Sequence, residues 1–201
     1  MRPKRGMGVV LCLVVVAATP ALGATRRSAG ENLIANGGFE QPVVGSGGYK
    51  LFSTGQSFPG WKVVGASGNV APISTLFQQS GIRFVAKAGK QWIDLTGLSN
   101  SATGVAQTVA TKAGAHYRLS FAVGNVKGGL FGVRSTVNVL VNGHKVLSAT
   151  NSGGGATQSW KTFTVAVAAS SARTSIEFLN GDPATDNSNG LDAVSMTALA
   201  R

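Results

Sequence analysis

Three carboxylates stand in turn-rich surroundings, and the chemistry they suit is the binding of a hard divalent cation. Glu40 lies in "NGGFE", Asp192 in "NGLDAV" and Asp94 in "WIDLTG", in a chain with only seven acidic residues. Carboxylates and the backbone carbonyls of a Gly-rich turn are the oxygen ligands that Ca²⁺ takes. A second reading keeps Glu40 and Asp192 as acceptors of backbone hydrogen bonds at strand ends. For Asp94 it assigns the ordering of its own turn. Asp182, Asp186, Asn187 and Asn189 form another oxygen-rich run in "GDPATDNSNG". It lacks the alternating acids and terminal Glu of an EF-hand loop, so it reads as a loop of turns.

Aromatic side chains supply the other candidate chemistry. Pyranose rings offer apolar C–H faces to aromatic rings. Tyr49, Phe52 and Phe58 sit in the Gly-rich stretch "VVGSGGYKLFSTGQSFPG" and are the candidates for exposed ligand contact. Trp92 joins them as a ligand candidate. Its alternation with apolar partners also suits a core position, as it does for Trp160, and Trp61 opens a strand after Pro59-Gly60.

No catalytic set is expected. His116 and His144 are the only histidines, and neither stands in "HExxH". No "GxSxG" elbow occurs. "GGLFG" and "SGGGAT" are not phosphate loops, since neither runs into Lys-Ser or Lys-Thr and an opening helix. Glu40 with Asp192 could be cast as a glycosidase pair, but their surroundings suit calcium better. The expectation is a protein that is not an enzyme.

The elements that position these residues read as strands. Short β-branched or aromatic runs recur between Gly, Asn, Ser and Pro, from "NLIA" to "GLDAVSMTAL". Tyr117, Leu119, Phe121 and Val123 share one face of "YRLSFAV", and Val137, Val139 and Val141 share one face of "STVNVLV". Asn142-Gly143 reads as a hairpin turn. Ten or so strands without βαβ alternation predict an all-β, antiparallel two-sheet sandwich.

Composition bounds the compartment. A basic start (Arg2, Lys4, Arg5), an apolar run over residues 8–18 and the small residues of "TPALGA" have the layout of a secretory signal peptide. The expected organisation is a signal peptide at 1–24, a flexible leader at 25–31 and one domain at 32–201. Cys12 is the only cysteine and falls in the signal peptide, so no disulfide is expected. The expected product is secreted, extracellular or periplasmic, with no membrane contact after cleavage. The formal net charge is +11, part of it on Arg2, Lys4 and Arg5. The other basic residues are scattered, which suits weak attraction to anionic polymers and no specific nucleic-acid reading.

The order "NLIANGGFEQP", "FPGWKVVGASGNV", "GKQWIDLTG", "GVAQTVATKAGAHYRLSFAVGN", "WKTFTVAVAASSARTSIEFLN" and "NGLDAVSM" carries a resemblance. It resembles the secreted galactose-binding-like jelly rolls. It is most similar there to the bacterial choice-of-anchor C family and to related plant cell-wall proteins of undefined function. The resemblance implies a jelly roll whose first and last strands lie together, bringing Glu40 near Asp192, with a structural Ca²⁺. It also implies a non-catalytic module that binds a cell-wall or matrix polysaccharide. The alternative is a matrix or adhesion protein that binds anionic polymers or protein partners. Choice-of-anchor proteins often end in a surface anchor, and "LDAVSMTALAR" shows no such tail.

Overall fold

Alternation sets the layers. Tyr117, Leu119, Phe121 and Val123 are all buried in the main core of the computed structural model, which describes residues 30–200. The expected signal peptide and most of the leader lie outside the described residues. In chain order the strands are β1 (Phe52–Ser53), β2 (Ser57–Phe58), β3 (Trp61–Gly65), β4 (Asn69–Ser74), β5 (Gln78–Gln79), β6 (Ile82–Arg83) and β7 (Gln91–Asp94). They continue with β8 (Thr103–Ala110), β9 (His116–Asn125), β10 (Ser135–Val141), β11 (His144–Asn151), β12 (Ser159–Ala168), β13 (Arg173–Asn180) and β14 (Gly190–Ala198). A single 3-10 turn, Gly129–Phe131, interrupts them among the described residues.

Two six-stranded sheets result, in the orders β1-β4-β7-β14-β9-β12 and β11-β10-β13-β8-β3-β2. Their pairings are antiparallel. The predicted all-β sandwich is the fold. Inner faces meet in one core, where Phe121 of the first sheet packs edge-on against Phe178 of the second at 5.1 Å. Val137 and Val139 are fully buried there and Val141 is partly buried. Asn142 and Gly143, at φ 50° and 78°, make the predicted hairpin turn between β10 and β11, in the backbone form that matches strand twist.

Two expectations shift. "NLIA" is not a ladder strand. It lies along β14 through Leu33 N donating to Met196 O and Val194 N donating to Gly37 O. The approach is so close that a Cβ on Gly37 would stand 2.0 Å from Val194 O. "VVGSGGYKLFSTGQSFPG" is not one loop, since β1 and β2 form within it.

Gly104 marks the tightest approach inside the second sheet: an added Cβ would lie 1.9 Å from Phe178 O. Gly104→Ala is expected to lower the melting temperature by about 5 to 10 °C, the scale of overpacking in a domain this size. Gly155→Ala, with nothing within 4 Å, should move it little. Equal shifts in calorimetry would refute the close approach.

Candidate active site

The chemistry gathers on the outer face of the first sheet. Strand alternation sends Ile93 and Leu191 into the main core, so Trp92, Asp94, Gly190 and Asp192 point the other way. A second hydrophobic cluster covers that face, built from Ala71, Ile73, Ile82, Phe84, Trp92, Val126 and Phe131. Its rings touch in series. Tyr49 meets Phe77 at 5.7 Å, Phe77 meets Phe84 at 5.6 Å, and Phe84 meets Phe131 at 5.0 Å and Trp92 at 6.1 Å. Trp92 in turn meets Trp160 at 6.0 Å.

Tyr49, Phe77, Phe84, Trp92 and Phe131 wall a cavity of about 120 Å³, and Asp94 lines it. Asp94 sits opposite Gly190, and Gly190 opposite Gly124. A Cβ on Gly124 or Gly190 would meet the Trp160 ring at 2.8 or 3.1 Å. The two glycines therefore let that ring lie flat against the sheet beside Asp94. Trp92 Nε1 and Ser188 Oγ are buried at this site without a hydrogen-bond partner among the described residues. Both remain able to meet a polar group on a ligand.

Burial raises the Asp94 carboxyl from its ordinary value near 3.8 to about 6, against the opposing hydrogen bonds from Asn189 and Thr96. Oδ1 accepts from Asn189 N (3.0 Å), Thr96 N (3.1 Å) and Thr96 Oγ1 (2.8 Å). Oδ2 meets the same Thr96 hydroxyl, at 2.8 Å, and the Gly97 backbone also hydrogen-bonds to the carboxyl. Two backbone amides and the hydroxyl already engage Oδ1, so the proton of the neutral acid is best carried on Oδ2. A neutral carboxyl among aromatic faces can give a proton to an apolar ligand, and the faces stabilise the cation that results.

Glu40 and Asp192 are brought together as expected. A Cβ on Gly38 would stand 3.8 Å from Glu40 Cγ and 3.9 Å from Asp192 Oδ1. Both carboxylates clasp the segment between Phe84 and Trp92. Asp192 Oδ2 accepts from Lys87 N (2.8 Å) and Ala88 N (3.1 Å), and Glu40 Oε1 from Lys90 N (2.8 Å) and Gln91 N (3.1 Å). Burial first, and the charge of Glu40 among the weaker causes, push Asp192 up to about 7.

Asp94 does not join them. No group of three His, Cys, Asp or Glu that could hold a metal ion occurs among the described residues, and Asp94 is held by Thr96 and Asn189 instead. Phe58 is buried in the main core, with Phe52 stacked on it at 4.8 Å. These two are structural, contrary to the expected exposed contact, because β1 and β2 fold their stretch onto the sandwich. Tyr49 and Trp92 do line the cavity, Tyr49 exposed at its mouth and Trp92 wholly buried in its wall. Phe77, Phe84 and Phe131 escaped sequence reading. The spacing of Trp92 and Asp94 in "QWID" was the available signal, since it puts both on one face.

The family comparison bears on the chain as a whole. The model of the HpiC1-like family, described as HpiC1 cyclase, matches residues 31–197. The chain belongs to the HpiC1-like cyclase family. This overturns the expectation that the protein is not an enzyme, and the family found is not choice-of-anchor C. Among solved structures, a cyclase from Fischerella sp. TAU in complex with 4-(1H-indol-3-yl)butan-2-one is similar. It has a TM-score of 0.57 and 22% identity, covering 84% of this chain and 98% of that one. The tandem CBM22-1–CBM22-2 domains of Paenibacillus barcinonensis Xyn10C give 0.53 and 17%, covering 89% of this chain and 48% of that one. The HpiC1-like chain thus shares its sandwich with carbohydrate-binding modules. No curated protein matches it.

Proposed function

We propose that this protein is an acid-dependent cyclase acting on a small apolar molecule that carries an aromatic ring. The observation that carries the reading is Asp94, a buried carboxyl held toward its neutral form in an aromatic-walled cavity. Family membership supports it. In the proposed reaction Asp94 Oδ2–H protonates a double bond of the substrate. The carbocation rests against the ring faces of Phe84, Trp92 and Phe131 until a π-nucleophile of the same molecule attacks it. Loss of a proton to the Asp94 carboxylate restores the acid, so the net change is an isomerisation.

A structural Ca²⁺ held by Glu40 and Asp192 belongs to the same reading. Two carboxylates placed together from the first segment and the last strand, beside the backbone amides they accept from, offer oxygen ligands to such an ion. The ion would supply fixed charge that ties residues 87–91 to β14. It takes no part in the proton transfer.

A glycan partner is the second reading. The outer face of the second sheet offers an open depression where Lys62, Gln107, Thr108, Ser175 and Glu177 stand beside apolar residues such as Val64 and Ala106. One titration separates the two. The indole ketone 4-(1H-indol-3-yl)butan-2-one should quench tryptophan fluorescence and raise the melting temperature, while xylo- and manno-oligosaccharides should do neither. Turnover is then sought with alkenyl indoles, which hold a protonatable double bond and a π-nucleophile in one molecule. Binding of oligosaccharide with no response to the ketone would overturn the cyclase reading. We also propose that the mature protein is secreted; N-terminal sequencing of exported protein should begin between Ala21 and Thr25.

A further inference from the structure

Several exposed large apolar side chains gather at the cavity mouth, while Val43, Val146 and Leu199 lie elsewhere. Tyr49, Leu51 and Leu98 line the cavity and are exposed at its rim, with Leu98 at 70%. Leu130, at 76%, and Val133, at 64%, flank Phe131 of the cavity wall. The rim loops are held to one another. Asn187 donates through N and Nδ2 to Leu130 O, and Asn100 Nδ2 donates to Pro183 O. Exposed apolar side chains on loops tied together around one opening mark an interaction surface.

The exposed charges beside the Phe131 turn are cationic. Arg134 follows Val133 and Lys127 precedes the turn, and both are exposed; Lys50, between Tyr49 and Leu51, instead turns its ammonium over the Phe52 ring at 5.4 Å. The nearby carboxylates are masked: Asp94 and Asp186 are buried. Asp182, within electrostatic range of Arg134, is pushed by burial up to about 8. Apolar tips with cationic stems suit an anionic interface, since Lys and Arg lay their alkyl chains on apolar surface and keep their charge in the headgroup layer. A second copy suits it less, because apposed rims would set cation against cation.

We propose that the cavity rim docks on an anionic lipid bilayer, with Leu130 and Val133 entering the headgroup–acyl boundary. This departs from the expectation of no membrane contact after cleavage. It stands on the surface alone and does not depend on the reaction inside the cavity.

Vesicle flotation tests it, with phosphatidylcholine alone and with added phosphatidylglycerol, at low and moderate salt. The protein should float with the anionic vesicles and not with the neutral ones. Leu130→Ser with Val133→Ser, which changes no charge and touches no residue of the cavity lining, should weaken binding on the order of tenfold. Val146→Ser, also exposed but on β11, should not. All variants share one N-terminus, so the apolar run over residues 8–18 contributes equally. Equal flotation of wild type and the double variant would reduce the effect to adsorption of a basic protein and overturn the proposal. So would a wild-type dimer that the double variant dissociates, or absence of binding. Retained response of the double variant to the soluble indole ketone shows that the cavity survives, and so separates failure of docking from failure of the cyclase reading.

Discussion

Asp94→Asn is expected to lower kcat by a factor of about 10² to 10⁴, the usual contribution of a positioned general acid. The substitution keeps the shape. Asn189 N and Thr96 N can still donate to the remaining carbonyl oxygen, so the indole ketone should bind as before. What is lost is the proton on Oδ2. The pH profile should track the same group. A carboxyl held at about 6 is a competent acid below that value, and the rate should fall about tenfold per unit above it. Stability changes with the same sign. A carboxyl raised by folding contributes stability that is present below its unfolded value and lost as pH rises through about 6. Asp94→Asn should therefore melt no lower than wild type at pH 8. A variant that keeps kcat within about twofold, with the descending limb unchanged, would remove Asp94 from the chemistry.

Removal of the proposed calcium is expected to have the larger effect on stability. An ion bound only by the folded state at a hundredfold excess over its Kd adds about 2.7 kcal/mol, which is several degrees in melting temperature at this size. Chelator should produce that loss at pH 8. At pH 5 the loss should shrink, because Asp192, raised to about 7, is then protonated. Without the ion, Asp192 contributes stability that is lost as pH rises through about 7; with it, the ionised form is the one retained. Glu40→Gln and Asp192→Asn should each mimic chelation, and their effects should not add. A melting temperature unmoved by chelator, on protein shown to be metal-free, would leave the two carboxylates as caps for the amides of residues 87–91.

The sandwich was legible because period-2 patterning is a local property. Tyr117 to Val123 declares its buried face within seven residues, and the Asn142-Gly143 turn within two. The pairing of Glu40 with Asp192 became legible only through the order of motifs along the whole chain. The cavity was not legible, for two reasons. Its walls come from Tyr49, Phe77, Phe84 and Phe131, which lie on separate loops. Its acid sits in "WIDLTG", where a turn-ordering role fits equally well, and Asp94 does bond Thr96 N. The environment that distinguishes an acid from a turn residue is the desolvation supplied by segments far away in sequence, and no short motif encodes that. Phe52 and Phe58 misled for the opposite reason: the glycines around them suggested an exposed loop, while the sandwich had two strands to make there.

The cavity's hydrophobic cluster and the main core lie on opposite faces of one sheet, with the β7 and β14 backbones between them. Side chains on one face can change size without crowding those on the other. For a lineage of such proteins this uncouples two kinds of inheritance. Substitutions in Phe77, Phe84 or Phe131 reshape the chamber while Phe121, Phe178 and their neighbours keep the scaffold intact. New substrates can then be explored by drift in a few loop residues, without first accumulating spare stability in the core.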